Sequence, residues 1–180
     1  KMKSQSSEKI IKTYNNSAKI YAPERKDELS KKHLDRLLLK EFARIAQGTG
    51  ICADFGCGPG QTTKFLYDHG LKDILGIDLS SRMIDTARSL FPEIQFQTGD
   101  LLDLSYESEY FSCGIAFYAI VHFNYDQIRI AFQEINRVLK RNGQFLFSFH
   151  VGDEAVHFDN VGDKNVHIDL YFFETEKILE

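Results

Sequence analysis

Between residues 51 and 150 short apolar runs alternate with stretches of helical period, an order that few architectures accept. Ile51 to Phe55 is apolar and closes on glycines, Thr62 to His69 has helical spacing and ends at Gly70, and Ile74 to Asp78 is a second apolar run. Ser81 to Leu90 returns to helical period through Met83, Ile84, Ala87 and Leu90, then stops before Pro92, which disfavours helix at the residue ahead of it. Ile94 to Thr98 alternates as a strand. Phe111 to Val121 is almost unbroken in its apolar character, as a strand buried on both faces requires. Tyr125 to Lys140 is helical, and Phe145 to His150 follows the turn Arg141 to Gln144. Strands separated by helices imply crossover connections, so the predicted fold is α/β: a Rossmann-like, doubly wound and mostly parallel sheet.

The flanks are simpler. Glu28 to Gln47 reads as one amphipathic helix with Leu29, Leu34, Leu37, Leu38, Phe42 and Ile45 on its apolar side and Gly48 as its stop. After His150 the chain turns polar and glycine-containing. Val166 to Phe173 then alternates as a strand with one solvated face, and TEKILE opens a helical turn. A chain of 180 residues is expected to form a single domain, residues 1–180, with 51–150 as its core. Its net charge of -4 offers no basic stripe, so nucleic acid is not an expected partner. No apolar run approaches the roughly 20 residues that span a bilayer, and the start is polar, so neither a membrane nor a secretory signal is expected and the expected location is cytoplasmic. Cys52, Cys57 and Cys113 lack CxxC spacing and read as reduced structural thiols, with no metal site implied.

In an open parallel sheet ligands bind beyond the carboxyl ends of the strands, which directs attention to ADFGCGPGQ, residues 53–61. Gly56, Gly58 and Gly60 permit positive φ and close approach of a ligand to bare backbone. Two phosphate-binding patterns fail here: the dinucleotide fingerprint would need glycine where Gln61 stands, and the phosphate loop would need Gly-Lys before Thr62. Asp54, just ahead of the glycines, would repel a pyrophosphate and favour a cation. Asp78 at the end of the second strand can accept from both hydroxyls of a ribose, and Asp100 lies at the end of the third. The site is therefore expected to take a ribose, a base and a positive charge, without phosphate.

ADFGCGPG, GIDLSSRMIDTAR, GDLLDL, AFYAIVHF and INRVLKRNGQFLFSF, in that order, resemble a class I S-adenosylmethionine-dependent methyltransferase over about residues 10 to 150. The resemblance implies transfer of a methyl group from S-adenosyl-L-methionine. It places Gly56 and Gly58 against the methionine moiety, Asp54 on its ammonium, Asp78 on the ribose hydroxyls, Leu79 and Met83 beside the adenine, and Asp100 with the Leu101 amide at the adenine as well, with Phe117 among the cofactor-binding residues. Residues 1–27 resemble the family's lid segment, with Tyr14 or Tyr21 over the cofactor carboxylate. The resemblance also implies that the helix and hairpin which usually complete the sheet lie outside this sequence.

Simpler roles compete with several of these. Asp78 with Ser80 and Ser81 fits a helix cap, Asp100 a turn, Met83 core packing, and the two tyrosines, seven residues apart, one helix face. A general base is needed only if the acceptor must lose a proton; His122, just past the fourth strand, is the candidate. Tyr118, Phe117, Phe123 and His150 are candidates to line the acceptor pocket. AFYAIV lacks the NPPY-type signature of amide and exocyclic-nitrogen methylation, so a small-molecule acceptor is expected. The alternatives are a cofactor-binding protein without transferase activity and a nicotinamide-dependent dehydrogenase, the latter disfavoured by Gln61 and Asp54; the oligomeric state is open.

Overall fold

The computed structural model describes residues 6–25, 28–158 and 168–178, with side chains described for all of these except 17–25. A five-stranded sheet carries the chain: β1 (Cys52–Phe55), β2 (Ile74–Asp78), β3 (Gln95–Thr98), β4 (Phe111–Phe117) and β5 (Leu139–Ser148). Its order is β3-β2-β1-β4-β5, and every neighbouring pair runs parallel. Parallel neighbours need crossovers, supplied by α4 (Gln61–Asp68), α5 (Ser81–Leu90) and α6 (Tyr125–Val138). This is the Rossmann-like α/β arrangement that the alternation of runs predicts.

Strand alternation divides the core in two. Ala53 and Phe55 of β1 pack with Ile128, Ala131, Ile135 and Val138 of α6, while Cys52 packs with Leu66 of α4 and Ile84 and Ala87 of α5. Both faces of β1 are thus covered, which makes it the central strand. Strand order reverses between β1 and β4, because the chain adds β2 and β3 on one side and then returns to the other. The carboxyl ends of the strands diverge at that point and open a crevice.

Several expectations need correction. The long helix from Glu28 is broken into α2 (Glu28–Lys31) and α3 (His33–Ala46). Moreover α3 buries Leu39, Phe42, Ala43 and Ala46, leaving Leu34 and Leu37 at 68% and 65% exposure with Leu38 and Ile45 also exposed. The apolar period admits two faces, and the one rich in alanine sits closer to the sheet. β4 ends at Phe117 rather than Val121, since Tyr118 turns out of the strand at a φ of 55°. The turn at Arg141 lies inside β5: Phe111 opposes Leu139 while Cys113 opposes Gln144, so Lys140 to Gly143 bulge out with Asn142 at a φ of 64°.

Ala155–Phe158, within the polar stretch after His150 where no strand is expected, forms strand β6 and pairs antiparallel with β7 (Ile168–Tyr171) in a separate two-stranded sheet. Val166 and His167, the start of the expected strand, lie outside the described residues. β7 is anchored to the main body by the Tyr171 amide donating to the Val121 carbonyl at 2.8 Å, and α7 (Thr175–Ile178) follows it. The N-terminal segment contributes α1 (Ser7–Arg25). No helix among the described residues is long and apolar enough to cross a membrane.

Candidate active site

The glycine loop leaves β1 and folds at once against β2, where the amides of Gly56 and Cys57 both donate to the Ile77 carbonyl, at 2.7 and 3.0 Å. Its first two glycines serve different needs. A Cβ on Gly56 would stand 2.5 Å from the Ala119 Cβ, so close packing of the β1 and β4 loops requires bare backbone there. A Cβ on Gly58 would meet nothing within 4 Å, yet its φ of +55° is left-handed, and its open side faces the cavity. The Asp78 carboxylate holds this loop in place. Its Oδ2 accepts from the Gly58 amide and its Oδ1 from the Ser80 amide, each at 2.8 Å. The helix-capping role falls to Ser80, whose hydroxyl oxygen accepts from the Met83 amide at 3.2 Å.

One cavity runs across the carboxyl ends of β1 to β4, and it collects Asp54, Asp78 and Asp100. Asp54 is buried and accepts from the Thr63 hydroxyl at 2.6 Å. Burial raises its carboxyl to about 7, helped by the neighbouring charge of Asp78 and opposed by the Thr63 hydrogen bond. Burial raises Asp78 as well, against the pull of its two amide donors. Asp100 accepts from the Leu102 amide at 2.9 Å and from the Ser7 hydroxyl at 3.2 Å. Gln61, in the first turn of α4, also lines the cavity, and its buried Oε1 has no hydrogen-bond partner among the described residues. Such an atom calls for a donor.

The helix α1 roofs this cavity with Ile10, Ile11 and Tyr14. It is latched by Asn15, whose Oδ1 accepts from the Ser80 hydroxyl at 2.7 Å, while the Arg82 guanidinium donates to the Asn15 carbonyl at 3.2 Å. Tyr14 meets the Nε2 of His122, and His122 Nδ1 lies 2.9 Å from the main-chain carbonyl of Asp169 in β7. Buried at 5% exposure, His122 is pushed down to about 4, burial outweighing its interaction with Asp169. At the other end of the cavity the Lys32 ammonium lies 4.5 Å over the Tyr118 ring and 2.8 Å from Glu28. Tyr118 keeps its left-handed backbone with its amide donating to the Ser148 hydroxyl at 2.9 Å.

Most of the predicted residues therefore converge: Tyr14, Asp54, Gly56, Gly58, Asp78, Leu79, Asp100, Leu101, Phe117 and His122 all line the one cavity, as do Tyr118 and Phe123. Three do not. Met83 is 1% exposed and packs in the core. Gly60 starts α4 behind the loop, where a Cβ would strike the Phe96 ring at 2.8 Å. His150 stacks on Tyr118 with ring centroids 4.9 Å apart, outside the lining. Tyr21 is in α1, but its side chain lies outside the described residues. Both ring nitrogens of His122 are engaged and its imidazole resists protonation, which argues against a free general base. Sequence reasoning missed Lys32, Glu28 and Asn15, whose approach to the site depends on the path of the N-terminal segment. It met Gln61 only as a missing glycine. Among the described residues no group of three or more His, Cys, Asp or Glu is placed to hold a metal ion.

Residues 52–143 match the protein family described as Methyltransferase domain. The chain belongs to that family. Its fold and motifs are those of the class I S-adenosylmethionine-dependent members, and two curated relatives and a solved structure show how far the similarity extends. The "Probable S-adenosylmethionine-dependent methyltransferase CRG1" of Saccharomyces cerevisiae is 32% identical over 129 residues, 67% of this chain and 43% of that protein. Trans-aconitate 2-methyltransferase of Escherichia coli O157:H7 is 46% identical over 62 residues, 33% of this chain and 25% of that protein. The crystal structure of the PH0226 protein from Pyrococcus horikoshii superposes with a TM-score of 0.66 at 25% identity, covering 84% of this methyltransferase-family chain and 78% of the other. The chain spans about four-tenths of the length of the first curated relatives it matches, 41% and 43% for two of them.

Proposed function

We propose that this cavity binds S-adenosyl-L-methionine and that the protein methylates a small-molecule acceptor. The observation that carries the reading is the gathering of Asp54, Asp78 and Asp100 around a loop of bare backbone, with the unpartnered Gln61 Oε1 beside them. Three carboxylates repel phosphate and suit a ligand that is cationic at one end and a nucleoside at the other. When bound, S-adenosylmethionine supplies a methyl group on a positively charged sulfur. The chain's residues hold, orient and enclose it. Asp54 and Gln61 Oε1 take the ammonium, the open face of Gly58 admits the methionine moiety, Asp78 keeps lone pairs for the ribose hydroxyls beyond its two amide donors, and Asp100 with Leu101 addresses the adenine. Ile10 and Ile11 of α1 cover the site and exclude water, which strengthens each of these charge interactions.

Methyl transfer is an in-line displacement that needs alignment more than proton transfer, so a site without a free base is adequate for it. Phe117, Tyr118 and Ala119, held by β4 and the strained turn after it, form the wall on which the acceptor would rest. A small acceptor is supported by the absence of a basic surplus in a chain of net charge -4 and by the small organic acid in the name of the Escherichia coli relative. Titration calorimetry with S-adenosylmethionine and S-adenosylhomocysteine tests the cofactor; both should bind, and Asp78→Ala should lose most of the affinity. No heat with either ligand sinks the reading. Screening acceptors for release of S-adenosylhomocysteine tests the transfer, and binding without turnover on any acceptor would favour a cofactor-binding protein instead.

A further inference from the structure

A separate cavity of about 230 Å³ lies at the amino ends of β4 and β5, the end of the sheet opposite to the three aspartates. The last turn of α3 and the bulge of β5 enclose it, with Ala46, Thr49, Ser112, Cys113, Lys140 and Arg141 among its walls. Thr49, Lys140 and Arg141 are exposed, so the cavity is open to water, while Cys113 is only 2% exposed. A hydroperoxide is small enough to enter a space of this size. Lys140 brings positive charge close to the thiol, its ammonium donating to the hydroxyl of Ser112, next to Cys113, at 3.3 Å.

Cys113 is the register partner of Cys52 in the adjacent parallel strand β1. Both pack in the same core layer with Leu39 and Ala46, so their side chains share one face of the sheet. Neighbouring strands run about 4.8 Å apart, inside the span of roughly 4.4 to 6.8 Å between the Cα atoms of a disulfide. The backbone here can adjust, because Cys52 opens β1 and the register of β4 against β5 shifts between Phe111 and Cys113. Both thiols are free. The Cys52 thiol hydrogen-bonds to the Cys113 sulfur, which holds Cys113 below the usual thiol range against its burial, with help from the Thr49 hydroxyl at 4.0 Å, and pushes Cys52 well above that range. Cys57 is a different case: burial and the charges of Asp78 and Asp54 push it up.

We propose that Cys113 is a hydroperoxide-sensitive thiol reached through this cavity, and that Cys52 resolves its oxidised form into a disulfide between β1 and β4. The Cys113 thiolate attacks one peroxide oxygen, the O–O bond breaks, and the departing oxygen takes up the proton that Cys113 released, leaving a sulfenic acid. The Cys52 sulfur then attacks the Cys113 sulfur; the S–S bond forms as the S–O bond breaks, and water leaves with the Cys52 proton. Two thiols are oxidised and one hydroperoxide is reduced. The step is independent of what the cavity at the carboxyl ends binds.

The full chain, reduced and then freed of reductant, is expected to lose two of its three thiols to one equivalent of hydrogen peroxide, counted with a chromogenic disulfide after denaturation. Tryptic digestion should then show the peptide of residues 45–64 joined to that of residues 89–129, with fragmentation assigning the link to Cys52 rather than Cys57. Cys52→Ala should leave a sulfenic acid on Cys113 that dimedone traps, and Cys113→Ala should slow thiol loss about tenfold. Three thiols that survive excess peroxide, thiols lost without an intramolecular link, or a link to Cys57 each overturn the proposal. So does a Cys113→Ala protein that is oxidised as fast as the unmutated one. If the variants do not fold, the peptide map of the unmutated protein decides the matter alone.

Discussion

Asp54 is a residue whose chemistry the fold changes strongly. An ordinary aspartate near 3.8 becomes a group near 7 because β1 carries it into the interior. Between those values the unfolded chain has released a proton that the folded chain still holds, so stability from this group is full below pH 4 and is lost as pH rises through 7. Asp54→Asn keeps an acceptor for Thr63 and removes the charge. It should melt higher than the unmutated protein at pH 8, with the difference vanishing near pH 4, in thermal unfolding followed by circular dichroism. Ligand affinity should move the other way. Pairing with an ammonium requires the ionised form, so affinity for S-adenosylhomocysteine should fall about tenfold per pH unit below 7. Calorimetry across that range checks it, and a slope that persists in Asp54→Asn would assign the effect to another group.

At the scale of elements, the polar contacts that join α1 to the sheet domain include Asn15 to Ser80 and Arg82 at the start of α5, Ser7 to Asp100 and Tyr14 to His122. Asn15→Ala removes the acceptor of the Ser80 hydroxyl and should cost about 1 kcal/mol. The local effect should be larger than the global one: amide hydrogen exchange in α1 should speed up while that of β1, the central strand, stays the same. Equal acceleration in both would show that the roof and the sheet unfold as one unit. The exposed leucines of α3 teach a related lesson. Leu34, Leu37 and Leu38 repeat at helical spacing as well as Leu39, Phe42 and Ala46 do, and a periodic pattern cannot rank two apolar faces of one helix.

The whole molecule couples these parts through the cavity, since every wall of it belongs to a different element. A ligand that binds only the folded chain stabilises it. At about a hundred times the dissociation constant this amounts to ~2.7 kcal/mol, which for a chain of 180 residues is a rise in melting temperature of about 5 to 10 °C. Scanning fluorimetry with S-adenosylhomocysteine should show that rise in the unmutated protein and little of it in Asp78→Ala. A rise retained in full by the variant would mean that Asp78 serves the loop through Gly58 and Ser80 rather than the ligand.

The amino-acid sequence determined the parallel sheet and the position of its first loop, because alternating runs of period 2 and 3.6 are local and strand order follows from crossovers. It determined the three aspartates too, since Asp54 stands one residue before the end of β1, Asp78 ends β2 and Asp100 follows β3, and the carboxyl ends of a parallel sheet all point one way. Tertiary structure alone decided which neighbours those side chains have. Met83 and Gly60 sit among site residues in the chain but pack behind the loop, while Asn15 and Lys32 are distant in the chain and reach the site through a segment whose path no local pattern encodes. It also decided protonation: the height of Asp54 and the engaged nitrogens of His122 are properties of burial and of contacts with Thr63, Tyr14 and Asp169, which exist only once α1, α4 and β7 have closed around the sheet.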